Sequence, residues 1–409
     1  VLRGARPWTV ALVFAVAVPL GCAARAPASR EISAVPTSRP TPENPVDVAG
    51  GTGPLQAALR NPAPESIAPA TLVHQDGYYV RGVDAVDGRL LAMDGSRGEL
   101  RQSDDWGATW SAGKGLPSGL RPETVNKLVR FGRYIYLLAS GPSPGVWRAP
   151  PAAGSTPFAW SPQLLKLTPG STAIMTDLNA SSWGTHDFMF AAEYGDPVGG
   201  PSIWRIGMDD ADGLGLNWIR SYGPDGKNRH IHGVAADPYV RGDVWATIGD
   251  GGPTTLVFSN DYGETWTPVI RDYSWQAVQI SFGPRYVYLA GDQPTFSYGV
   301  LDRATLMPQI AAPNRPADLE IPGLHAAGDR YYAIAYFGAV DPATGIYYCV
   351  ANDSSSSGNR MGMFYARRLG ERLRILDPGG VDINMNGEIL IAHGTIYSGV
   401  WQHPVLAAR

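Results

Sequence analysis

The residues best suited to chemistry in this chain of 409 residues are His230 and His232, in Arg229-His230-Ile231-His232-Gly233. Extended backbone alternates its side chains, so these two imidazoles share one face and Ile231 takes the other. Such a pair can share a metal with a third ligand such as Glu193 or Asp250. It can serve as general base and charge neutraliser. It can also pack as a hydrogen-bonded piece of wall. Carboxylates are the second resource. Glu193 and Asp250 each close an apolar, strand-like run, at Phe188–Gly195 and Val244–Gly251, and two such acids are what glycosidic hydrolysis requires. Tyr194, beside Glu193, offers with either histidine a different reaction, removal of a proton beside a uronate carboxylate. Arg229 is the cation available to neutralise that carboxylate. Asp94, Asp292, Trp275 and His393 add acidic and aromatic groups that suit the hydroxyls and faces of sugars. No cofactor is expected, a metal at His230 and His232 being the less favoured alternative.

These residues need a scaffold, and Arg229–Trp266 shows what it is. RHIHGVAA reads as a strand, DVWATIG as a second and TTLVFS as a third. Ser259-Asn260-Asp261-Tyr262-Gly263-Glu264-Thr265-Trp266 then leads into a fourth. The same S-x-D-x-G-x-T-W pattern occurs as Ser103, Asp105, Gly107, Thr109 and Trp110. Its logic is local: the Asp accepts backbone N–H bonds and closes a turn. Gly permits the positive φ the turn needs, Thr closes the polar network, and Trp anchors the next strand. A structural clip is the expected role.

The second-strand pattern recurs seven times from Arg89 to Gly394, including Tyr331–Gly338 and Glu388–Gly394. Each copy is followed by a short third strand, from GELRQS to GVWQHP. Seven units over residues 69–409 average about 49 residues, the size of a four-stranded propeller blade. The spacing predicts an all-β chain with one β-propeller of seven blades, six being the alternative count. The strand at Ala70–Gln75 is expected to complete the last blade and hide both edges. In a propeller, loops entering each first strand and leaving each second strand form one mouth, where the candidate residues would gather.

The flanking sequence speaks to location. Arg3 and Arg6 precede an apolar run from Trp8 to Leu20, then Gly21-Cys22. The run is too short to span a membrane and reads as a signal peptide, with residues 1–22 lipoprotein-like and Cys22 the lipidated residue. Residues 23–68, rich in Pro, Ala and Ser, read as a flexible tether. The expectation is an exported monomer, either a cell-envelope lipoprotein touching membrane only through a lipid anchor or a secreted protein, since Pro19 departs from the usual lipoprotein pattern. A net charge of −4 and the lack of any Lys/Arg-rich run exclude a nucleic-acid surface. With Cys22 lipidated, Cys349 has no disulfide partner and is expected to be a buried thiol.

The two S-x-D-x-G-x-T-W boxes, set in repeats of this length, resemble the Asp-box, or bacterial neuraminidase repeat, propellers over residues 70–409. That superfamily contains sialidases, xyloglucan-cleaving glycoside hydrolases, receptors and an assembly factor. The resemblance implies the fold, and a carbohydrate polymer as partner for its enzymatic branches. It implies no sialidase chemistry: the sialidase Arg-Ile-Pro strand is nearest matched by Glu320-Ile321-Pro322, which puts an acid where an Arg must grip a carboxylate. The xyloglucan-cleaving enzymes of the superfamily carry two propellers, and this chain is long enough for one. The function expected is an exported glycoside hydrolase acting on a polysaccharide through carboxylates at the mouth. A polysaccharide lyase using His and Tyr, or a non-catalytic binding propeller, are the alternatives.

Overall fold

The structure is a computed structural model. It describes residues 68–69, 71–73, 78–84, 89–141, 144–154, 156–175, 188–207, 219–222, 230–237, 239–249, 255–272, 275–283, 285–291, 298–306, 308–312, 335–341, 344–352, 361–367, 374–377, 389–392 and 395–398. The chain is all-β, and its strands lie in the compact unit Pro42–Arg409. The first, β1, is Thr71–Val73. A three-stranded sheet follows: β2 (Tyr78–Asp84), β3 (Arg89–Asp94) and β4 (Glu99–Ser103). Five four-stranded sheets come next, each in chain order. They are β5 (Val125–Phe131) to β6 (Tyr134–Ala139), β7 (Gly145–Ala149) and β8 (Leu165–Lys166); and β9 (Ser171–Met175) to β10 (Phe188–Gly195), β11 (Ile203–Gly207) and β12 (Ile219–Tyr222). The third is β13 (His230–Ala236), β14 (Val244–Gly249), β15 (Leu256–Ser259) and β16 (Thr267–Ile270). The fourth is β17 (Ala277–Phe282), β18 (Tyr286–Gly291), β19 (Tyr298–Asp302) and β20 (Pro308–Ala312), and the fifth β21 (Ala335–Val340), β22 (Tyr347–Asn352), β23 (Met361–Ala366) and β24 (Arg374–Asp377). Last, β25 (Ile389–Ala392) and β26 (Thr395–Ser398) form a hairpin, and β1 pairs in parallel with β26, Thr71 opposite Thr395.

The sheets stack on their neighbours in chain order. Leu91, Met93 and Leu100 pack with Leu128, Ile135 and Leu137 of the next sheet. Val129, Tyr136 and Leu138 pack with Met189 and Ala191. Phe190 and Ala192 pack with Ile231, Val234 and Ala246, and Ala235, Trp245 and Phe258 with Ile280, Val287 and Leu289. Inner strands thus have apolar neighbours on both faces, which explains the unbroken apolar run Val244–Gly249, buried throughout. An alternating strand suits a one-sided sheet, whereas this pattern suits a face-to-face stack.

Both eight-residue boxes close one circuit of hydrogen bonds. Ser103 Oγ donates to Asp105 Oδ1 at 2.8 Å and accepts from Gly107 N at 2.7 Å; Asp105 Oδ1 and Oδ2 accept from Thr109 N at 2.8 Å and Thr109 Oγ1 at 2.6 Å. Ser259, Asp261, Gly263 and Thr265 repeat it, with Thr265 N 2.9 Å from Asp261 Oδ1. Gly107 and Gly263 have φ of 95° and 79°, a region costly to residues with a Cβ. Trp266 Nε1 donates to Gly263 O. The Thr109 hydroxyl and N–H hold the Asp105 carboxyl below its ordinary value. At Asp261, partial burial pushes upward, but the bonds from Thr265 and Ser259 outweigh it and the net shift is downward. A carboxyl held low in the folded state stabilises the fold above its unfolded pKa and loses that contribution as pH falls through the folded value. Urea titrations of wild type and Asp261→Asn should therefore show the largest stability gap at neutral pH, narrowing below about pH 4.

One assignment made from sequence shifts in frame. Tyr331–Gly338 was expected to be a second strand; β21, which overlaps that stretch and runs on to Val340, instead occupies a sheet edge as a first strand, and GIYYCVAN supplies the second, β22. Glu388–Gly394 contributes β25, which pairs with β26. The expected third strand GVWQHP lies outside the described residues. The reason for the shift is visible at Gly338, which resembled a turn glycine. It sits inside β21, where a Cβ would lie 1.9 Å from the Tyr347 hydroxyl, and its N–H donates to Gln279 Oε1 of the neighbouring sheet at 3.0 Å. Gly338→Ala should destabilise by roughly 1–3 kcal/mol through overpacking. Adding Tyr347→Phe should restore part of the loss, a coupling readable in a double-mutant cycle of urea unfolding.

Charged side chains tie adjacent sheets. Lys114, fully buried, donates to the carbonyls of Ala152, Gly154 and Thr156, and burial pushes its pKa down. Arg205 of β11 reaches Tyr262 O and the Glu264 carboxylate in the second box. Arg303 Nε lies 2.5 Å from Asp237 Oδ2, both side chains nearly or fully buried. Cys349 is fully buried, and burial drives its thiol pKa up.

Candidate functional site

The first strands share a device that positions the site. Pairing with the second strand slips between Val80 and Gly82, Val125 and Lys127, Ile231 and Gly233, Ala277 and Gln279, and Ala335 and Phe337. At each bulge one residue has no opposite number in the second-strand register: Arg81, Asn126, His232, Val278 and Tyr336. A bulge re-aims side chains.

In β13 the bulge brings both imidazoles together. Their ring centroids are 4.8 Å apart and His230 Nε2 is 2.9 Å from His232 Nε2. His230 Nδ1 lies 3.2 Å from Gly195 O in the preceding sheet, and His232 Nδ1 lies 2.9 Å from Ala277 O in the following one. The pair therefore joins three sheets. Ile231 faces away into the apolar cluster with Phe190 and Val257. The rings are 4% and 5% exposed for His230 and His232, so they form the floor of the site. Gly249 pairs with His230 across the sheet, and a Cβ there would lie 2.2 Å from His232 Nε2 and 2.6 Å from His230 Nε2. No other residue fits. Sequence reasoning missed Gly249, since a glycine after an apolar run looks like an ordinary turn residue.

Tyr194 covers the pair. Its ring centroid is 4.2 Å from that of His230 and 6.1 Å from that of His232, and it is half-buried. Its neighbour Glu193 points elsewhere and is fully buried. Glu193 Oε1 accepts from Thr168 N at 2.8 Å, and Oε2 from Ser202 N at 3.0 Å. A carboxylate whose two oxygens are both held by main-chain amides in the interior clamps two loops. That geometry gives Glu193 a clamping role beside the catalytic one expected of it.

Asp94 is also a turn residue. Its Oδ1 accepts from Ser96 N, Ser96 Oγ and Arg97 N, and its Oδ2 is 3.4 Å from Arg101. Burial pushes its pKa up, but these partners outweigh it and the carboxyl is held low. The signal was present in sequence: an Asp followed by Gly-Ser-Arg before a strand is an Asx-turn pattern. Trp275 packs on the apolar cluster of Trp245 and Leu301 and lies against Gly299, where a Cβ would be 2.5 Å from its ring. Both thus have structural partners beside the sugar contacts expected of them. Arg229, Asp250, Asp292 and His393 lie outside the described residues, as does Cys22 with the whole N-terminal segment. Among the described residues no group of three or more His, Cys, Asp or Glu side chains converges on a point.

The sequence matches no protein-family model and no curated protein. Solved structures do resemble it. A GH74 enzyme from Niastella koreensis superimposes with a TM-score of 0.50 and 16% identity, covering 79% of this chain and 50% of that one. The GH74 xyloglucanase from Xanthomonas campestris gives 0.48 and 17%, covering 76% and 47%. YCF48 bound to D1 peptide gives 0.37 and 11%, covering 62% and 70%. The fold is propeller-like. At this identity the likeness extends to the fold alone, and the chain spans about half the length of the two GH74 structures. The Tyr194–His230–His232 cluster lies where β10 ends and β13 begins.

Proposed function

We propose that this chain is an exported, polysaccharide-active enzyme on a seven-bladed propeller closed by its N-terminal strand. Closure is supported by the β1–β26 pairing and by the contact of β26 with β2. Export, with a lipid on Cys22 as the only membrane contact, rests on the sequence of residues 1–22. The protein acts as a monomer. The observation that carries the enzymatic reading is the convergence of Tyr194 on the buried imidazole pair.

The reaction this cluster fits is elimination in a uronate-bearing polysaccharide. With Glu193 committed to two amides, hydrolysis by a Glu193–Asp250 pair loses one of its members. Tyr194 is the half-exposed group that can meet substrate, and a phenol both stacks on a sugar and relays a proton. Tyr194, as a phenolate beside His230, takes the proton next to the carboxyl group; the C–O bond to the linked sugar breaks, and the same phenol returns the proton to the departing oxygen, leaving an unsaturated uronate. The test is product identity: the full chain on a panel of neutral and uronate-containing polysaccharides, followed by reducing ends and by the absorbance of unsaturated uronates. Reducing ends accompanied by the chromophore support elimination. Reducing ends without it assign hydrolysis and overturn the elimination step.

The burial of both imidazoles favours one second reading, a non-catalytic glycan-binding propeller with Tyr194 as its stacking surface. Silence across the panel, together with retardation of the protein in polysaccharide-containing gels, would select it.

A further inference from the structure

We propose that His230 and His232 together carry one excess proton, and that this single positive charge holds Tyr194 as the phenolate. That phenolate is the base of the elimination proposed above, so the role given to it rests on that reading. The hydrogens can be counted from three contacts. His230 Nδ1 lies 3.2 Å from Gly195 O, His232 Nδ1 lies 2.9 Å from Ala277 O, and the two Nε2 atoms lie 2.9 Å apart. A carbonyl only accepts, so each Nδ1 supplies a hydrogen. The Nε2 contact needs one more, since one nitrogen must donate to the other. Two neutral imidazoles carry two hydrogens in all, and a pair with one excess proton carries three. Only the charged pair supplies every contact. Other partners of the rings leave the count unchanged, because a hydrogen lying between two ring nitrogens belongs to one of those rings whatever else they touch.

The surroundings suit a cation. The Tyr194 ring lies 4.2 Å from that of His230, centroid to centroid, with the planes 37° apart. The face of a phenol attracts a cation, and a phenolate attracts it more strongly. From β10 and β17 come main-chain carbonyls, the negative ends of peptide dipoles. From β14 comes Gly249, opposite His230 and without a side chain. Glu193, the acid beside Tyr194, is turned to Thr168 N and Ser202 N. Burial of the rings opposes a charge, which the hydrogen bonds and the Tyr194 face offset. The same burial strengthens the attraction between the pair and a phenolate. His230 and His232 are thus positioning residues, acting through Tyr194. When the phenolate takes the substrate proton, negative charge passes to the uronate while the positive charge stays in the cluster, so charge remains balanced through the step.

The protons are read directly in the full chain, labelled with ¹⁵N-histidine, at neutral pH. Both Nδ1 of the pair should be of the protonated type, and the two Nε2 should be coupled to each other across a shared hydrogen. That coupling identifies the pair among the seven histidines in the wild type, without any variant. Spectra of the wild type with no such coupling would overturn the proposal. The phenolate is read in the ultraviolet difference between wild type and Tyr194→Phe, where the band of a single phenolate is expected and that of a neutral phenol would overturn its assignment. In His232→Gln, shown to be folded by circular dichroism, the phenolate band should vanish; its persistence would overturn the link from the pair to Tyr194. Neither readout uses turnover. Both signals together with a silent polysaccharide panel would set aside the elimination reading and support the charged pair, and unsaturated uronates formed without the signals would do the reverse.

Discussion

Replacing Arg303 by methionine should destabilise the protein by about 3–5 kcal/mol, the cost of stranding one member of a buried ion pair. Asp237 has no exposed side-chain surface, and Arg303 is 7% exposed. Arg303 also donates through Nη2 to Gly283 O at 2.8 Å and lies over the Tyr239 ring. One guanidinium thus ties the end of β13 to the sheet of β17–β20. Burial already raises the Asp237 pKa, and Arg303 is the main force holding it down. Without the cation the carboxyl must be buried charged or take up a proton. A group whose folded pKa is raised favours the folded state more as pH falls. The defect of Arg303→Met should therefore be smaller at pH 5 than at pH 8, in urea titrations at both values. A double variant, Arg303→Met with Asp237→Asn, should recover part of the loss because no charge remains stranded.

Tyr194→Phe is expected to reduce product release roughly 10²–10⁴-fold, the range for losing a positioned proton-transfer group. The substitution keeps the ring that packs 4.2 Å from His230, so thermal stability should stay close to wild type. That contrast separates a catalytic role from a structural one. Glu193→Gln should behave in the opposite way. Its amide would set an NH₂ group against one of the two backbone N–H donors, from Thr168 and Ser202. Stability should fall by about 1–3 kcal/mol, with the turnover of the molecules that remain folded little changed.

What could be read from sequence followed the range of the interactions. The boxes around Asp105 and Asp261 were legible because every partner lies within four residues of the Asp. The strand Arg229–Ala236 was legible for its histidine spacing, and the rings do share a face, though through a bulge. The clamp at Glu193 was not legible because its partners are Thr168 and Ser202, 25 and 9 residues away. Nothing local distinguishes a carboxylate clamp from a catalytic acid. Arg303 and Asp237 are 66 residues apart, and neither drew notice. The frame slip at β21 had another origin. First and second strands are both buried on both faces, so both are apolar runs. Gly338 then looked like the close of a strand when it is a point of close approach beneath Tyr347.

The most direct test of the account is the time course of unsaturated-uronate absorbance when the full chain acts on a uronate-rich polysaccharide, with Tyr194→Phe run beside the wild type. The account predicts a steady rise with wild type and almost none with the folded variant. Equal rises from both proteins would contradict it, since the chemistry would then lie away from the cluster of Tyr194, His230 and His232.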